Sequence, residues 1–238
     1  MDQTNGGSLL PLEFAAQLSD LARAMITNQA EGLDPARVVR FAAQAVPGSE
    51  DASLTLIRGT ERPHTIIGTS DLTYHVDVIQ YDTGQGPCLE AIAESDVTRA
   101  DDLATDPQWP AFGPRAVKET GVHSMFGVRL FIDEHQRGAL NFYAHKPHAF
   151  NDLDLALGAI FAAYASLALQ NAAHIEQATN LQSALTSSRQ IGSAMGILMA
   201  RNFWTADHAF EQLRSASQQL HRKLRDIAEE VTHTGEMP

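Results

Sequence analysis

Two glycines inside a helical stretch are the residues of this chain that most clearly suggest a binding function. Residues 187–213 have the pattern of two helices, and Gly192 and Gly196 lie inside the first of them. A glycine in a helix interior costs about 1 kcal/mol relative to alanine. Because the two are four residues apart, they share one face, and without side chains that face lets another backbone come close. With Arg189 and Arg201 on either side, the spacing predicts a surface that admits a nucleobase or a sugar-phosphate backbone.

A purely structural explanation is available for Gly192 but not for Gly196. Gly192 falls on an apolar seam described below, where close packing of two helices would explain it equally well. Gly196 falls off that seam, which makes it the better candidate for a ligand contact. Its neighbours around the helix are Gln190, Ser193, Ala194 and Ile197.

Cys88 is the single cysteine of the chain and follows a Gly-Pro turn at the start of a short helix. A helix N-terminus lowers the pKa of a thiol, which would suit a redox or ligand-sensing role. The alternative is a small buried apolar side chain, because free cysteine is among the most buried residue types. We favour the buried alternative and keep Cys88 as a candidate sensor residue.

A short basic cluster, "RKLR", contains Arg222, Lys223 and Arg225. Arg222 and Arg225 share a helix face, which could meet phosphates. Taken alone, the cluster is better explained as a solvated face that pairs with Asp226 and Glu229.

Motifs of known enzymes are missing from the sequence. It contains no GxxxxGK[ST], HExxH, GxSxG or CxxC. His145 and His148 are the closest pair of its histidines, with Asp152 nearby, but the proline between them breaks regular ligand spacing. We therefore expect no catalytic residue, no metal site and no enzymatic activity.

Charge is unevenly distributed along the 238 residues. The formal net charge is -12, which argues against a general nucleic-acid binder. Residues 178–238, however, hold six basic and six acidic side chains, so this segment can meet a polyanion without net repulsion. One cysteine allows no intrachain disulfide, and the N-terminus has no basic region of a secretory signal. No apolar run approaches the roughly 18 residues of a membrane span. These features predict a cytoplasmic protein without membrane contact.

The first three quarters of the chain predict an α+β domain. Residues 1–11 are a polar tail, and a central antiparallel sheet with helices on one face follows from the order of the later elements. Helices are predicted at 12–30, 35–46, 72–82 and within 106–121, and a glycine loop leads into a short helix at 83–95. Strands are predicted at 52–59, 64–70, 124–133 and 138–147. The turn "EHQR" joins the last two strands.

A long helix is predicted after Asn151 or Asp152, either of which can cap it. Apolar or small residues then recur in alternating steps of four and three from Leu153 to Met199, passing through Leu157, Gly192 and Met195. Such heptads indicate a coiled coil, and a globular helix with a wider apolar stripe is the alternative. An asparagine in the seam is typical of a two-stranded register, so we expect a parallel homodimer. The predicted seam residues are Ile160, Tyr164, Leu167, Asn171, Leu181 and Leu185.

Two shorter helices complete the chain. Thr205 can cap a helix from Ala206 to about Leu220, and a last helix contains Leu224 and Val231. The predicted inward residues of the first are Ala209, Phe210, Leu213 and Ala216. With the end of the long helix they form a three-helix unit.

The segment 189–231 closely resembles the ANTAR domain of transcription antitermination regulators. The resemblance rests on three blocks in order, R-x-I-x-x-A-x-G-I-L-M, A-F-x-x-L-R-x-x-S and R-K-L-R-D-x-A. It implies a three-helix RNA-binding module that acts as a dimer on tandem hairpins in nascent mRNA and prevents a terminator from forming.

Motif position and charge in this resemblance imply the RNA-binding residues. They are Arg189, Gln190, Ser193, Ala194, Gly196, Ile197, Arg201, Arg214, Arg222, Lys223 and Arg225. Three positions depart from common family members: Met195 stands where many have Lys, His221 where many have Asn, and "NFW" replaces a more usual glycine-containing turn.

Residues from about 12 to 172 look like a GAF domain, a small-molecule sensory fold. The strand order and "YDTGQGPCLEAI" support this resemblance, and the chain lacks the βα repeat and acidic pair of a phospho-receiver. The predicted organisation is a tail (1–11), a GAF-like domain (12–152), a coiled-coil linker (153–180) and an ANTAR domain (181–234). The sequence identifies no cofactor and no ligand for the sensor.

These observations together predict a dimeric, non-enzymatic, RNA-binding antitermination regulator with an N-terminal sensor. The alternative is a GAF-type ligand or redox sensor whose C-terminal helices serve only dimerisation or binding of a protein partner.

Overall fold

The structure, a computed structural model, describes residues 34–132 and 136–238, together with Ser19. The predicted tail and the predicted helix 12–30 lie outside the described residues apart from Ser19, as do the first two residues of the "EHQR" turn. The chain divides into two compact units between Ala173 and His174. Each unit is described by itself.

The first unit contains nine helices and strands ahead of the long helix within its described residues. They are α1 (Pro35–Ala45), β1 (Asp51–Arg58), β2 (His64–Gly68), α2 (Asp71–Thr83), α3 (Pro87–Ala93), β3 (Val97–Ala100), α4 (Gly113–Thr120), β4 (Ser124–Phe131) and β5 (Gln136–Ala144). The predicted helices and strands between residues 35 and 147 are confirmed, and β3 is an element that the sequence pattern did not predict.

The five strands form one antiparallel sheet in the order β2-β1-β5-β4-β3. The predicted hairpin of β1 and β2 is confirmed, with Ser53 opposite Gly68 and a register shift between Leu54 and Thr55. β3 is a short edge strand that pairs only with β4 among the described strands. Four residues are too few for an alternating pattern to stand out, which explains why β3 was missed.

Helices cover both faces of the sheet, so the expectation of helices on one face is wrong. Along β5, Leu140 and Phe142 face a core formed with α1 and the long helix. Asn141 and Tyr143 point to the opposite side, as alternate strand residues must. There they meet α2, α3 and α4, where Tyr143 joins a second apolar cluster with Val76 and other residues of these helices.

The long helix α5 (Asp152–Asn202) begins with the predicted cap. The side chain of Asn151 accepts a hydrogen bond of 2.8 Å from the Leu153 amide, and Asp154 accepts one of 2.8 Å from the Asn151 amide in return. Reciprocal bonds of this kind satisfy free N–H groups at the helix start. The first turns of α5 then bury Leu157 and Phe161 in the core of the first unit.

Within the described residues, α5 is long and apolar enough to cross a membrane by length and composition. The expectation that no segment meets this criterion is therefore wrong. Part of the apolar surface of α5 has another use, because Leu157, Phe161 and Ala165 pack against the sheet.

The second unit consists of the end of α5 with α6 (Ala206–Gln219) and α7 (Leu224–Thr234). The side chain of Thr205 caps α6 as predicted, accepting a hydrogen bond of 3.3 Å from the His208 amide. Ala194, Leu198, Ala209, Leu213, Ala216, Ile227, Ala228 and Val231 form its buried core. Phe210 does not belong to that core, contrary to the prediction, because its side chain lies at the surface.

Candidate nucleic-acid interface and sensor core

Gly192 and Gly196 lie on the outward face of α5 in the second unit. Ala194 and Leu198, two residues further along from each glycine, are buried, and a step of two residues turns a helix by about 200°. Both glycines are exposed, and a Cβ added at either position would meet no atom within 4 Å. Nothing within the unit therefore requires a glycine at these positions.

The two glycines still lower the helix propensity of α5 at both places. Their backbone is helical, so no positive φ calls for glycine either. The remaining physical use of a bare helix face is close approach by something outside the chain. The hypothesis of a contact surface at Gly196 agrees with this geometry and stays a prediction.

The residues predicted beside Gly196 fall into two groups. Ala194 is fully buried in the three-helix core, so its predicted contact with RNA is wrong for its side chain. Ile197 and Gln190 are half-buried, whereas Arg189 and Ser193 are exposed. Arg189 makes no ion pair or hydrogen bond through its side chain within the described residues.

The other predicted basic residues are mostly engaged within the unit. Arg214 pairs with Glu211 at 2.8 Å, Arg222 with Glu230 at 2.6 Å, Arg225 with Asp226 at 3.2 Å, and Arg201 with the carbonyl oxygen of Gly235 at 2.9 Å. Lys223 is exposed and has no ion pair in the part of the chain that the structure describes. Arg189 and Lys223 are thus the cations most available to a phosphate.

A polar groove of about 440 Å³ runs between α5 and α7 inside the second unit. Hydroxyl and amide side chains of α5 line one wall and charged residues of α7 the other: Thr179, Gln182, Ser183, Thr186, Ser187 and Gln190 against Arg225, Asp226 and Glu229. The hydroxyl and amide groups of the α5 wall both donate and accept hydrogen bonds, whereas Asp226 and Glu229 place carboxylates on the facing wall. The groove therefore adds to the polar surface near Arg189.

The sequence around this surface contains no aspartate or glutamate between Glu176 and Asp207. A chain with 29 acidic residues leaves this stretch without one. The α5 surface beside the glycines therefore carries no negative side chain of its own. The departure at Met195 lies partly against the core, where a methionine packs as an apolar residue.

The predicted seam residues divide between the surface and the interior. Leu181 and Leu185 are 61% and 55% exposed, and Ile160 and Leu167 are also exposed. Tyr164 packs partly against the core, and Asn171 is half-buried. Leu157, which shares the heptad pattern, is buried in the core and takes no part in an exposed seam.

The Cys88 thiol is fully buried under the sheet at the start of α3. The Asn141 amide nitrogen lies 3.2 Å from its sulfur, and the Cys88 backbone N–H donates to Gln80 Oε1 over 2.9 Å. Burial, assisted by the nearby Asp77 carboxylate, raises the pKa of the Cys88 thiol. The favoured prediction of a buried side chain is confirmed, and the alternative of a thiol pKa lowered by the helix start is wrong, because desolvation outweighs the dipole.

A buried polar network next to Cys88 was not foreseen from the sequence. Asp77 accepts hydrogen bonds from Tyr143 at 2.6 Å, Ser53 at 2.7 Å and Thr65 at 2.8 Å. Burial raises the pKa of Asp77 despite these donors, and that of Tyr143 as well. The sequence signal that could have revealed this network is the polar Ser53 and Thr55 in a strand covered on both faces.

Asn141 is an incompletely satisfied member of this network. Its amide nitrogen donates to Ser53 at 3.2 Å and to Thr55 at 3.3 Å, whereas its buried Oδ1 has no hydrogen-bond partner. The side chain lies against Gly127, whose missing Cβ leaves room for it. The Asn141 Oδ1 is therefore a buried acceptor that no described residue satisfies.

Grouped metal ligands are not found in the described residues. His145 is bound to Glu50 at 2.6 Å. His148 is exposed at a positive φ of 55°. His145 and His148 therefore do not share a metal-ligand site among the described residues.

Comparisons with known proteins agree with this architecture. The GAF domain family matches residues 33–170, more than half of the chain, and the ANTAR domain family matches residues 179–231. No curated protein matches the chain in sequence.

Solved structures resemble the GAF part of the chain in fold. Free methionine-R-sulfoxide reductase from Neisseria meningitidis, solved with its substrate, is 15% identical with a TM-score of 0.50, over 70% of this chain and 96% of that one. The GAF domain of a phosphoenolpyruvate-protein phosphotransferase from Coxiella burnetii is 11% identical with a TM-score of 0.49, over 70% and 96%. The N-acylhomoserine lactone dependent LuxR family factor CepR2 from Burkholderia cenocepacia is 15% identical with a TM-score of 0.49, over 66% and 96%. At these identities the first likeness shows the fold alone.

Both matched domains are regulatory types. The GAF domain is a sensor domain, and the ANTAR domain is that of RNA-binding antitermination regulators. The chain belongs to the GAF domain family and carries an ANTAR domain after its sensor.

Proposed function

We propose that this protein is a cytoplasmic, homodimeric regulator that binds two RNA hairpins in tandem in nascent mRNA and prevents a terminator from forming. In this proposal the GAF domain senses a small molecule, and the protein is not an enzyme and does not contact a membrane. The ANTAR match supports RNA as the partner, because that domain type belongs to antitermination regulators.

The observation that carries the proposal is the outward face of α5. Gly196 leaves it bare without any need inside the chain, Gly192 lies one turn before it on the heptad seam, and Arg189 stands beside them without a partner among the described residues. RNA loops are bound by close approach to splayed bases together with arginine contacts. A bare face next to a free guanidinium provides both.

Local charge favours RNA at this surface although the whole chain is acidic. The stretch from residue 177 to 206 contains only basic charges, those of Arg189 and Arg201. Asp226 and Glu229 lie on the facing wall of the groove, and salt weakens the effect of acidic residues further away, since the Debye length is about 8 Å at physiological ionic strength. The local surface therefore decides the interaction more than the net charge of -12 does.

Dimerisation is supported by the exposed leucines of α5. Leu181 and Leu185 continue the heptad spacing of Ile160 and Leu167, and all four are exposed in the single chain. Leucines at heptad spacing bury themselves against a second helix in coiled coils. Two copies would then present two ANTAR domains, which suits two tandem hairpins.

The GAF domain is proposed to sense a ligand rather than the redox state. A sensor thiol needs thiolate character and access to solvent. The Cys88 thiol is buried and its pKa is raised, so it meets neither condition. A groove of about 280 Å³ lies beside α3 and is bordered by Gly86 and Trp109.

The proposal can be tested by fluorescence anisotropy with the full chain. The probe is a labelled RNA with two short hairpins, compared with the same RNA carrying scrambled loops, at about 50 mM and about 200 mM salt. We expect loop-dependent binding that weakens with salt, since each phosphate contact on a single strand contributes about 0.7 to the slope of log K against log salt.

A different result would favour the alternative function. Absence of binding at both salt concentrations, or binding that ignores the loops, would indicate C-terminal helices that serve only dimerisation or a protein partner. The test separates the two because a protein-only surface has no reason to release counterions from RNA.

A further inference from the structure

Phe203 is the most exposed large apolar side chain among the described residues. It lies in the turn between α5 and α6, its side chain is 95% exposed, and its backbone has a φ of 57°. Phe203 therefore contributes no apolar burial to the stability of the fold. Its role must lie outside the packing of the unit.

The backbone at Phe203 also favours another residue. A positive φ in this range costs a residue with a Cβ roughly 1–2 kcal/mol, and glycine avoids that cost. Three other helices of the described chain end on a glycine in this conformation, Gly84 after α2, Gly121 after α4 and Gly235 after α7, whereas His221 after α6 also has a positive φ of 51°. At the end of α5 the chain carries a phenylalanine and accepts the strain. Strain held at one position is a reason to look for a function there.

The surroundings of Phe203 are polar. Asn202, Thr205 and Asp207 are exposed around it in the chain. The neighbouring Trp204 belongs to the fold, since it is half-buried and meets the His208 ring edge-on at 4.9 Å. The Phe203 ring is thus flanked along the chain by exposed polar residues and by the half-buried Trp204. Protein interfaces are built around contiguous, desolvated apolar cores, which a single ring does not offer.

We propose that Phe203 is a platform on which an unpaired RNA base stacks. This inference rests on the proposed function, because it adds a contact to the same RNA-binding unit. An exposed ring with polar neighbours suits a nucleobase, whose face is aromatic and whose edges are polar. Phe203 lies within the stretch 177–206, which contains no aspartate or glutamate. An RNA strand that lies along this part of α5 therefore meets no carboxylate of that helix.

The decisive variant is Phe203→Gly in the full chain. Glycine removes the ring and also the backbone strain, so we expect the second unit to unfold at the same temperature or a higher one. Stacking on an aromatic side chain is worth enough that its loss should weaken RNA binding by roughly 5- to 100-fold. Opposite effects on stability and binding distinguish a contact residue from a structural one.

Two further variants test whether the ring itself matters. Phe203→Trp keeps an aromatic face and should retain binding within a few-fold, whereas Phe203→Leu keeps apolar surface without a π-system and should lose it as the glycine variant does. The matched control is His148→Gly, which relieves the same left-handed backbone in the first unit, where φ is 55°, and should leave RNA binding unchanged.

Each outcome decides the question. If the wild-type protein binds the tandem-hairpin RNA and Phe203→Gly binds it equally well, the stacking proposal is wrong while the proposed function stands. If Phe203→Leu retains binding, or if Phe203→Gly changes the oligomeric state in sedimentation experiments, the ring contacts protein instead of RNA and the proposal is overturned. If the wild-type protein binds no RNA, both proposals fail together.

Discussion

The guanidinium of Arg201 donates a hydrogen bond of 2.9 Å to the carbonyl oxygen of Gly235, which ties the last turn of α5 to the C-terminal cap of α7. The same side chain lies 3.3 Å from the Glu236 carboxylate. A cation at the end of a helix also interacts favourably with its dipole. Arg201 therefore has a structural role in the three-helix unit, in addition to any contact with RNA.

Replacing Arg201 should accordingly affect stability. We expect Arg201→Ala to lower the free energy of unfolding of the second unit by about 0.5–1 kcal/mol, a modest value because the side chain is half exposed. Arg189→Ala should leave thermal unfolding unchanged and weaken RNA binding. Thermal melts and anisotropy titrations of both variants measure the contrast. If both variants had the same melting temperature and lost RNA affinity equally, Arg201 would be a direct contact to RNA.

Gly196→Leu should separate binding from folding. No atom lies within 4 Å of an added Cβ, so the side chain fits the isolated unit, and replacing a helical glycine removes a cost of about 1 kcal/mol. We expect unchanged or higher thermal stability together with loss of RNA binding, and Gly196→Ala should show the stabilisation with a smaller effect on binding. Normal RNA binding by Gly196→Leu would refute the assignment of this face.

Asp77 gives the first unit a pH dependence with a definite sign. Its pKa in the folded state is raised above the value of 3.8 by burial, so the folded state holds its proton more tightly than the unfolded one. The contribution of Asp77 to stability is then fully present below pH 3.8 and is lost as pH rises through the folded pKa. We expect Asp77→Asn to remove this loss. The free energy of unfolding in urea should then depend less on pH between 3.8 and the folded pKa of Asp77 than it does in the wild type.

The matched variant Asp77→Ala tests the network in another way. It removes the acceptor shared by Tyr143, Ser53 and Thr65, and it should cost about 1–3 kcal/mol for each buried donor left without a partner. Asp77→Asn retaining the pH dependence of the wild type would show that another group titrates in this window.

The exposed leucines of α5 should control association. Leu185→Glu places a charge in the proposed seam, so we expect it to convert the dimer to monomer in sedimentation experiments while the chain keeps its fold. Leu157→Ala is the matched control from the same heptad pattern. It is buried in the core, so it should destabilise the first unit by about 2–5 kcal/mol without acting on the seam directly. A monomeric wild-type protein would contradict the dimer proposal.

Local signals in the sequence were sufficient for much of the fold. Pro35, Thr205 and Asn151 begin helices through their own backbone or side-chain chemistry, and the caps of the last two are seen in the structure. The alternation of polar and apolar residues in β1 likewise depends on neighbours within the strand. These elements could be predicted because short-range contacts determine them.

Features that depend on distant parts of the chain could not be predicted in this way. Arg189 and Arg201 occupy the same motif, and only the packing of α7 against α5 shows that Arg201 is engaged and Arg189 is not. The helix start at Cys88 suggested a low thiol pKa, but burial under the sheet reverses its direction. Phe203 lies in a turn that in common family members contains a glycine. Its exposure could not be predicted from the sequence, because it depends on how the helices on either side pack.

The most direct test of RNA recognition by the bare face of α5 is a selection from a pool of RNAs with two tandem hairpins and randomised loops. The full-length wild-type protein and its Gly196→Leu variant would each be used to capture RNA, and the bound fractions sequenced. We expect the wild-type protein to enrich a shared loop sequence in both hairpins, and the variant to enrich none. Equal enrichment by the two proteins, or no enrichment by the wild type, would contradict the central claim.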